Sequence, residues 1–381
     1  MSQLQLPPLS LYVHIPWCVQ KCPYCDFNSH ALKGGIPEQE YIAHLLDDLR
    51  ADLKYVQGRQ LYSIFFGGGT PSLLSEGAVA ELLQGIEQLV EFEENIEITL
   101  EANPGTLEYN KFAGFHQAGI NRISIGVQSF QTEKLQALGR IHSCDEAKKA
   151  AQFALKSVPR FNLDLMHGLP NQSLDDAIGD LKKAISLTPD HLSWYQLTIE
   201  PNTLFYSKPP KLPQDDILWQ IQQQGQALIT EHGYRQYEIS GYCKPGNECR
   251  HNLNYWRFGD YIGIGCGAHG KITDLSQNRI LRTEKIKHPK GYMDLAKPYL
   301  YKSWRVETED LPFEYFMNKL RLVEPFDIRD FERFTGLSKS TVETRLDRAL
   351  DSNWLVKTSA NSYTTSESGL LFYNDLVDLF L

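Results

Sequence analysis

Short apolar strand-like runs alternate with amphipathic helical runs through the first two thirds of this chain, and no other feature limits its fold as much. Residues 11–15 (Leu-Tyr-Val-His-Ile) are apolar and partly β-branched, as a strand requires. Residues 38–56 carry Tyr41, Leu45, Leu46 and Leu49 on one face at helical spacing. The same reading predicts strands over 62–66, 96–100, 122–127, 162–166 and 191–197. Helices are predicted between them, over 75–90, 106–118, 144–157 and 173–187. Strands that alternate with helices of this length imply βα units and a parallel sheet. Six units fit between residues 11 and 197. The expected class is therefore α/β, a partial (βα)6 TIM-like barrel rather than a Rossmann sheet. In such barrels the chemistry sits on loops at the C-terminal ends of the strands.

After Pro201 the pattern changes. Residues 207–213 (Ser-Lys-Pro-Pro-Lys-Leu-Pro) read as a linker. A helix is predicted over 215–231, a strand over 237–243, and then a Cys-, His- and Gly-rich stretch to residue 270. The last 70 residues read as three helices (312–323, 328–334 and 338–352), two short strands and a final helix, the order of a winged helix. At 381 residues the chain exceeds one ordinary domain of roughly 150 residues. The expected division is a barrel over 1–240, a connecting region over 241–305 and a winged-helix-like α+β unit over 306–381.

Charge and targeting narrow the function. Lys and Arg number 38 against 47 Asp and Glu, giving a net charge of -9, which argues against a general nucleic-acid or anionic-membrane binder. In the tail, Lys339, Arg345 and Arg348 are interleaved with Glu343, Asp347 and Asp351, so no basic stripe is expected to read nucleic acid. No apolar run approaches the ~20 residues needed to span a membrane. Residues 1–8 carry no Lys or Arg and no apolar stretch follows, so no signal or transit peptide and a cytoplasmic location are expected.

The seven cysteines are odd in number and too sparse for a disulfide scaffold. Three of them, Cys18-x-x-x-Cys22-x-x-Cys25, fall just after the first strand. Three thiolates on one tight loop can converge on one metal centre, and thiolates suit iron–sulfur clusters and zinc. No fourth cysteine lies nearby. An iron–sulfur cluster would keep one iron open for a small ligand; a zinc ion would be completed by His14 or His30.

Cys18-Val-Gln-Lys-Cys22-Pro-Tyr-Cys25 resembles the signature of radical S-adenosylmethionine (SAM) proteins. Leu11-Tyr-Val-His-Ile-Pro-Trp17, Gly67-Gly-Gly-Thr-Pro71, Ile125-Gly-Val-Gln-Ser129, Asp164-Leu-Met-His-Gly-Leu-Pro170 and Gly263-Ile-Gly-Cys-Gly-Ala-His269 resemble, in order, the oxygen-independent coproporphyrinogen III oxidase family. The resemblance implies that Cys18, Cys22 and Cys25 ligate a [4Fe–4S] cluster whose open iron is chelated by SAM. Cleavage of SAM then yields a 5′-deoxyadenosyl radical, chemistry carried by the cofactor. It further implies that Gly68, Gly69 and Thr70 line the methionyl end of SAM. Glu101, Gln128 and Asp164 would meet its nucleoside, Arg140 its carboxylate, and Tyr12 and Tyr24 would flank it. Local chemistry is compatible: glycines let backbone N–H groups approach a ligand, and Arg suits bidentate carboxylate recognition. Taken alone, the glycines also suit a plain turn, Glu101 a loop carboxylate and Arg140 a surface cation, and packing is the better reading of each tyrosine.

Within that family the oxidases carry a further cysteine two residues after the third, where this chain has Phe27, and a longer segment ahead of the cluster, where this chain has 17 residues. His251-Asn252-Leu-Asn-Tyr255-Trp256 instead resembles a motif of the family's haem-chaperone branch, where it is associated with haem. An imidazole can ligate haem iron and the aromatics can pack on the porphyrin; a structured loop with buried aromatics is the plain alternative. The expected function is to bind haem and a SAM-liganded cluster and to pass haem to an acceptor protein, with a homodimer compatible; the competing enzyme is the oxidase itself. Gly265-Cys-Gly-Ala-His-Gly270 matches a dinucleotide fingerprint, but a strand-like Lys271-Ile-Thr follows where a helix is needed. Cys243, Cys249 and Cys266 lie near His251 and His269 in spacings that fit no standard zinc pattern.

Overall fold

The computed structural model describes residues 3–381. Its main sheet has twelve strands. Six parallel strands form the partial barrel: β1 (Leu9–Ile15), β2 (Leu61–Gly68), β3 (Phe92–Ala102), β4 (Arg122–Gln128), β5 (Arg160–His167) and β6 (His191–Gln196). Beyond β6 the antiparallel β7 (Arg235–Gln236) and β8 (Gly241–Cys243) extend one side. On the other side β9 (Asp260–Ile264) runs parallel to β1 and is followed by antiparallel β10 (His269–Asp274), β11 (Arg279–Lys285) and β12 (Leu300–Arg305). The sheet order is β12-β11-β10-β9-β1-β2-β3-β4-β5-β6-β8-β7, so the barrel does not close strand to strand.

Helices α1 (Glu38–Asp52), α2 (Glu76–Leu89), α3 (Cys144–Ser157) and α4 (Leu174–Ser186) pack outside the barrel strands, and α5 (Asp215–Glu231) lies on α4. Ser143 and Ser173 cap α3 and α4, each with a carboxylate three residues on that returns the bond to the cap's own N–H. The parallel strands bury both faces, which explains why they read as near-continuous apolar runs.

Several predicted elements differ, among them the final helix, which divides into Glu367–Leu371 and Tyr373–Asp378. The 106–118 helix breaks into Thr106–Tyr109 and Phe112–Gln117. At the break the Lys111 ammonium is drawn to the carbonyls of Ser72, Leu73 and Leu74. The strand over 237–243 shortens to Gly241–Cys243, because the Glu238 carboxylate takes the Ser240 N–H and the Arg321 guanidinium and turns the chain. The 338–352 helix opens with a 3-10 turn before Glu343–Asp351.

The largest core fills the space between barrel and helices; a second gathers tail residues such as Phe316, Phe331 and Phe380 with Leu4, Phe258 and Ile280. Alternation along the strands aims a polar set into the lumen. Ser10 pairs with Ser63 at 2.7 Å, Tyr12 stacks on Phe65, and Ser124 donates to Asp164 at 2.9 Å.

Candidate functional site at the barrel mouth

Every residue of the cysteine loop and the glycine turn lies at the C-terminal ends of β1 and β2. Cys18, Cys22 and Cys25 are half-buried and unpaired. Burial raises the Cys18 thiol above its ordinary value, and the nearby Cys25 and Cys22 thiols add to the shift, so the three share one electrostatic neighbourhood. The loop is tied at its base: Thr70 N–H donates to Trp17 O at 2.8 Å and Gly69 N–H to Ile15 O at 2.7 Å. A Cβ on Gly68, whose φ is +111°, would stand 2.5 Å from the His14 ring, and one on Gly69 would stand 2.5 Å from the Trp17 carbonyl. Close approach therefore favours glycine at both positions, and conformation requires it at Gly68.

Glu101 and Asp164 face the same cleft. Gly68 N–H donates to Glu101 at 3.3 Å. Asp164 accepts from Ser124 at 2.9 Å and from Asn162 at 2.7 Å. Among the described residues neither carboxyl has an ion-pair partner. Burial, then the Asp164 charge, push Glu101 up to about 8 against the pull of the Gly68 N–H. Two such carboxyls suit a ligand that donates hydroxyl hydrogens.

The sign of the Glu101 effect is testable. Between its ordinary value of 4.5 and about 8 the folded protein holds a proton that the unfolded chain has released. Ligand-free stability should therefore fall as pH rises through that window. In Glu101→Gln this fall should flatten and the variant should melt higher than the parent at the alkaline end. Identical pH profiles for the two proteins in thermal melts would refute the assignment.

Arg140 is the hub of the opposite wall. It donates to Asn103 Oδ1 and to Gly126 O, both at 2.7 Å, and its other arm lies 3.7 Å from Cys22 Sγ. Asn103 in turn donates to Thr70 at 3.0 Å. Gln128 accepts from Tyr195 at 3.0 Å and holds φ +67°, a strained backbone for a non-glycine residue at a strand end. Tyr24 packs near Phe205, and a cavity of about 120 Å³ opens beside Cys22, Asn103, Glu108 and Arg140. Asn103 and Tyr195 were not singled out from sequence; their place at the ends of β3 and β6 was the available signal.

The second predicted group lies at the other end of the barrel. The His-Asn-x-x-Tyr-Trp segment is a short helix, α6 (Arg250–Trp256), that seals the barrel floor. His251 is 1% exposed. One ring nitrogen pairs with Ser63 Oγ and the other with Tyr255 Oη, both at 2.9 Å, and the ring stacks on Phe65 at 5.0 Å. The main-chain N–H of His251 donates to Glu97 at 3.1 Å. Burial and the Arg122 charge push it down to about 3, so it is neutral. Tyr255 packs edge-on against Tyr261, and the Arg321 guanidinium covers Trp256 at 4.3 Å. Asn252 is half-buried on the same helix. Phe65 and Tyr12 are the stacked aromatic link between floor and mouth.

The three remaining buried cysteines are not gathered. Cys243 lies in β8, Cys249 bonds Glu97 at the floor, and Cys266 donates to Lys287 O at the mouth. Among the described residues no group of three His, Cys, Asp or Glu side chains is assembled to hold a metal ion. His14, a candidate fourth zinc ligand, has both nitrogens engaged, with Tyr12 Oη at 3.0 Å and Asn28 O at 2.9 Å.

Residues 12–184, which run from β1 through most of α4, match the Radical SAM superfamily. The fold agrees with that of a solved structure, coproporphyrinogen III oxidase (HemN) from Escherichia coli, a radical SAM enzyme. The TM-score is 0.82 at 22% identity, over 98% of this chain and 90% of that one, a likeness of fold. Curated relatives narrow the class. The heme chaperone HemW of Haemophilus influenzae is 58% identical and that of Escherichia coli K12 is 57% identical, each over 99% of both chains. The chain belongs to the heme chaperone HemW family.

Proposed function

We propose that this protein binds haem together with a SAM-liganded [4Fe–4S] cluster and passes the haem to an acceptor protein. The observation that carries this reading is the 58% identity, over 99% of both chains, to a protein named as a heme chaperone. No helix among the described residues is long and apolar enough to cross a membrane.

The residues at the mouth fit the cluster and SAM in donor chemistry. Three unpaired thiols share the loop, and the imidazole beside them is already engaged. Bound there, a cluster supplies one-electron chemistry and an open iron for the amino-acid end of SAM. In this reading Cys18, Cys22 and Cys25 hold the cluster. Gly68, Gly69 and Thr70 leave room for the methionyl backbone. Glu101, Gln128 and Asp164 accept from the ribose and adenine, and Arg140 holds the carboxylate. Tyr12 and Tyr24 wall the cleft and exclude water.

The haem motif contributes differently. In the closed barrel both nitrogens of His251 are engaged. Ligation of iron by His251, with packing by Asn252, Tyr255 and Trp256, therefore belongs to a state in which α6 has left the floor. Ferric haem titrated into the full chain should give a shifted, saturable Soret band and a transferable haem. A titration indistinguishable from free haem sinks the reading. Anaerobic incubation with reductant, SAM and coproporphyrinogen III should yield no protoporphyrinogen IX; its formation would favour the oxidase instead.

A further inference from the structure

Histidines collect on one side of the barrel mouth, outside the SAM cleft. His30 follows the cysteine loop, and its ring centre lies 5.5 Å from that of His288. His288 and His269 are exposed and His30 is half-buried. His30 Nε2 is 3.2 Å from the Lys287 carbonyl. A carbonyl only accepts, so Nε2 carries the hydrogen and Nδ1 keeps its lone pair. This is how ligating histidines are commonly held: one nitrogen anchored to a backbone carbonyl, the other presented to a metal. Burial also lowers His30 below the ordinary imidazole value, which keeps that lone pair free of a proton.

The number of ligands decides which metal fits. A bare zinc ion needs four donors, and the paired rim imidazoles of His30 and His288 are two. Haem iron already has four porphyrin nitrogens and needs only one or two more. Two imidazoles on opposite faces of one iron sit on the order of 6 Å apart, centre to centre, from metal–nitrogen bonds of about 2 Å. The observed separation is 5.5 Å, with the two ring planes 73° apart. Apolar surface is at hand, since Phe27 on the same loop is 60% exposed. The Lys21 ammonium, close enough to act on His30, offers a partner for a propionate.

We infer that His30 and His288 supply the iron ligands for haem arriving at the mouth of the barrel in its closed state, beside the cysteine loop. The inference rests on the haem-binding reading above, and it assigns the first contact to residues outside the His-Asn-x-x-Tyr-Trp helix. Coordination replaces water or a weak ligand on ferric iron by imidazole, with no change in oxidation state.

Ferric haem is titrated into the full chain and into His30→Ala, His288→Ala and His251→Ala, with electron paramagnetic resonance and optical spectra recorded. The wild type should give a low-spin ferric signal. His30→Ala and His288→Ala should each lose it and bind haem at least tenfold more weakly, whereas His251→Ala should keep it. His288 is exposed and His30 half-buried, and unchanged circular dichroism will separate lost ligation from lost folding. An unchanged low-spin signal in His30→Ala and His288→Ala, with loss in His251→Ala, overturns the inference and leaves the chaperone reading standing. Failure of the wild type to bind haem overturns that reading and this inference with it.

Discussion

Alanine at any one of Cys18, Cys22 or Cys25 should abolish the iron–sulfur absorption of the anaerobically reconstituted protein, bring iron and sulfide to background, and eliminate SAM binding. The effect is expected to be all or none because, among the described residues, no other thiol is placed to take over. Cys266 is buried and its thiol is bonded to Lys287 O, Cys249 is at the floor and Cys144 begins α3. Ser29 is 3.9 Å from Cys25, but a hydroxyl does not replace a thiolate on iron. Loss of SAM follows because its chelating iron goes with the cluster; Arg140, Glu101 and Asp164 alone would leave only weak binding. The fold should persist, since the cysteines are half-buried on a loop held by backbone bonds from Gly69 and Thr70. Retention of full iron content in any of the three variants would remove that residue from the ligand set.

Lys285→Met should cost about 3–5 kcal/mol of stability, the range for breaking a buried ion pair by removing one partner. The ammonium is 1% exposed and donates to Asp48 and, at 2.7 Å, to Asp52. Asp48 also accepts from Tyr292 Oη at 2.8 Å and from Gly265 N–H at 3.1 Å. Methionine fills the volume but strands two buried carboxylates and loosens the Gly265 turn over the mouth. Adding Asp48→Asn and Asp52→Asn to Lys285→Met should recover most of the loss, because the uncompensated charges are then gone. Urea denaturation of the single and triple variants checks both halves; a single variant within about 1 kcal/mol of the parent would show that the triad is not a stabilising unit.

The barrel was legible because its strands and helices carry different periods, and neither depends on contacts far along the chain. The mouth was legible for a related reason. Cys18, Cys22 and Cys25 are close in sequence, and Gly68, Gly69 and Glu101 follow immediately on strands whose parallel packing brings their C-terminal ends to one rim. The break at Lys111 was not legible, since it depends on carbonyls 37 to 39 residues away. Neither was Asn103, whose bridge from Thr70 to Arg140 exists only once three strand ends meet.

The floor and the histidine rim mark the sharper boundary. His251 can ligate iron as a residue type, and its neighbours in sequence agree with that use. What denies its nitrogens to a ligand in the closed barrel is Ser63, 188 residues away, together with burial against Phe65. His30 and His288 are separated by nearly the whole barrel, and a one-dimensional pattern gives no reason to pair them. Periodicity and short-range spacing settle which elements form and which chemistry a loop can carry. Whether a side chain's lone pairs stay free is a matter of long-range packing and desolvation, which only the assembled sheet supplies.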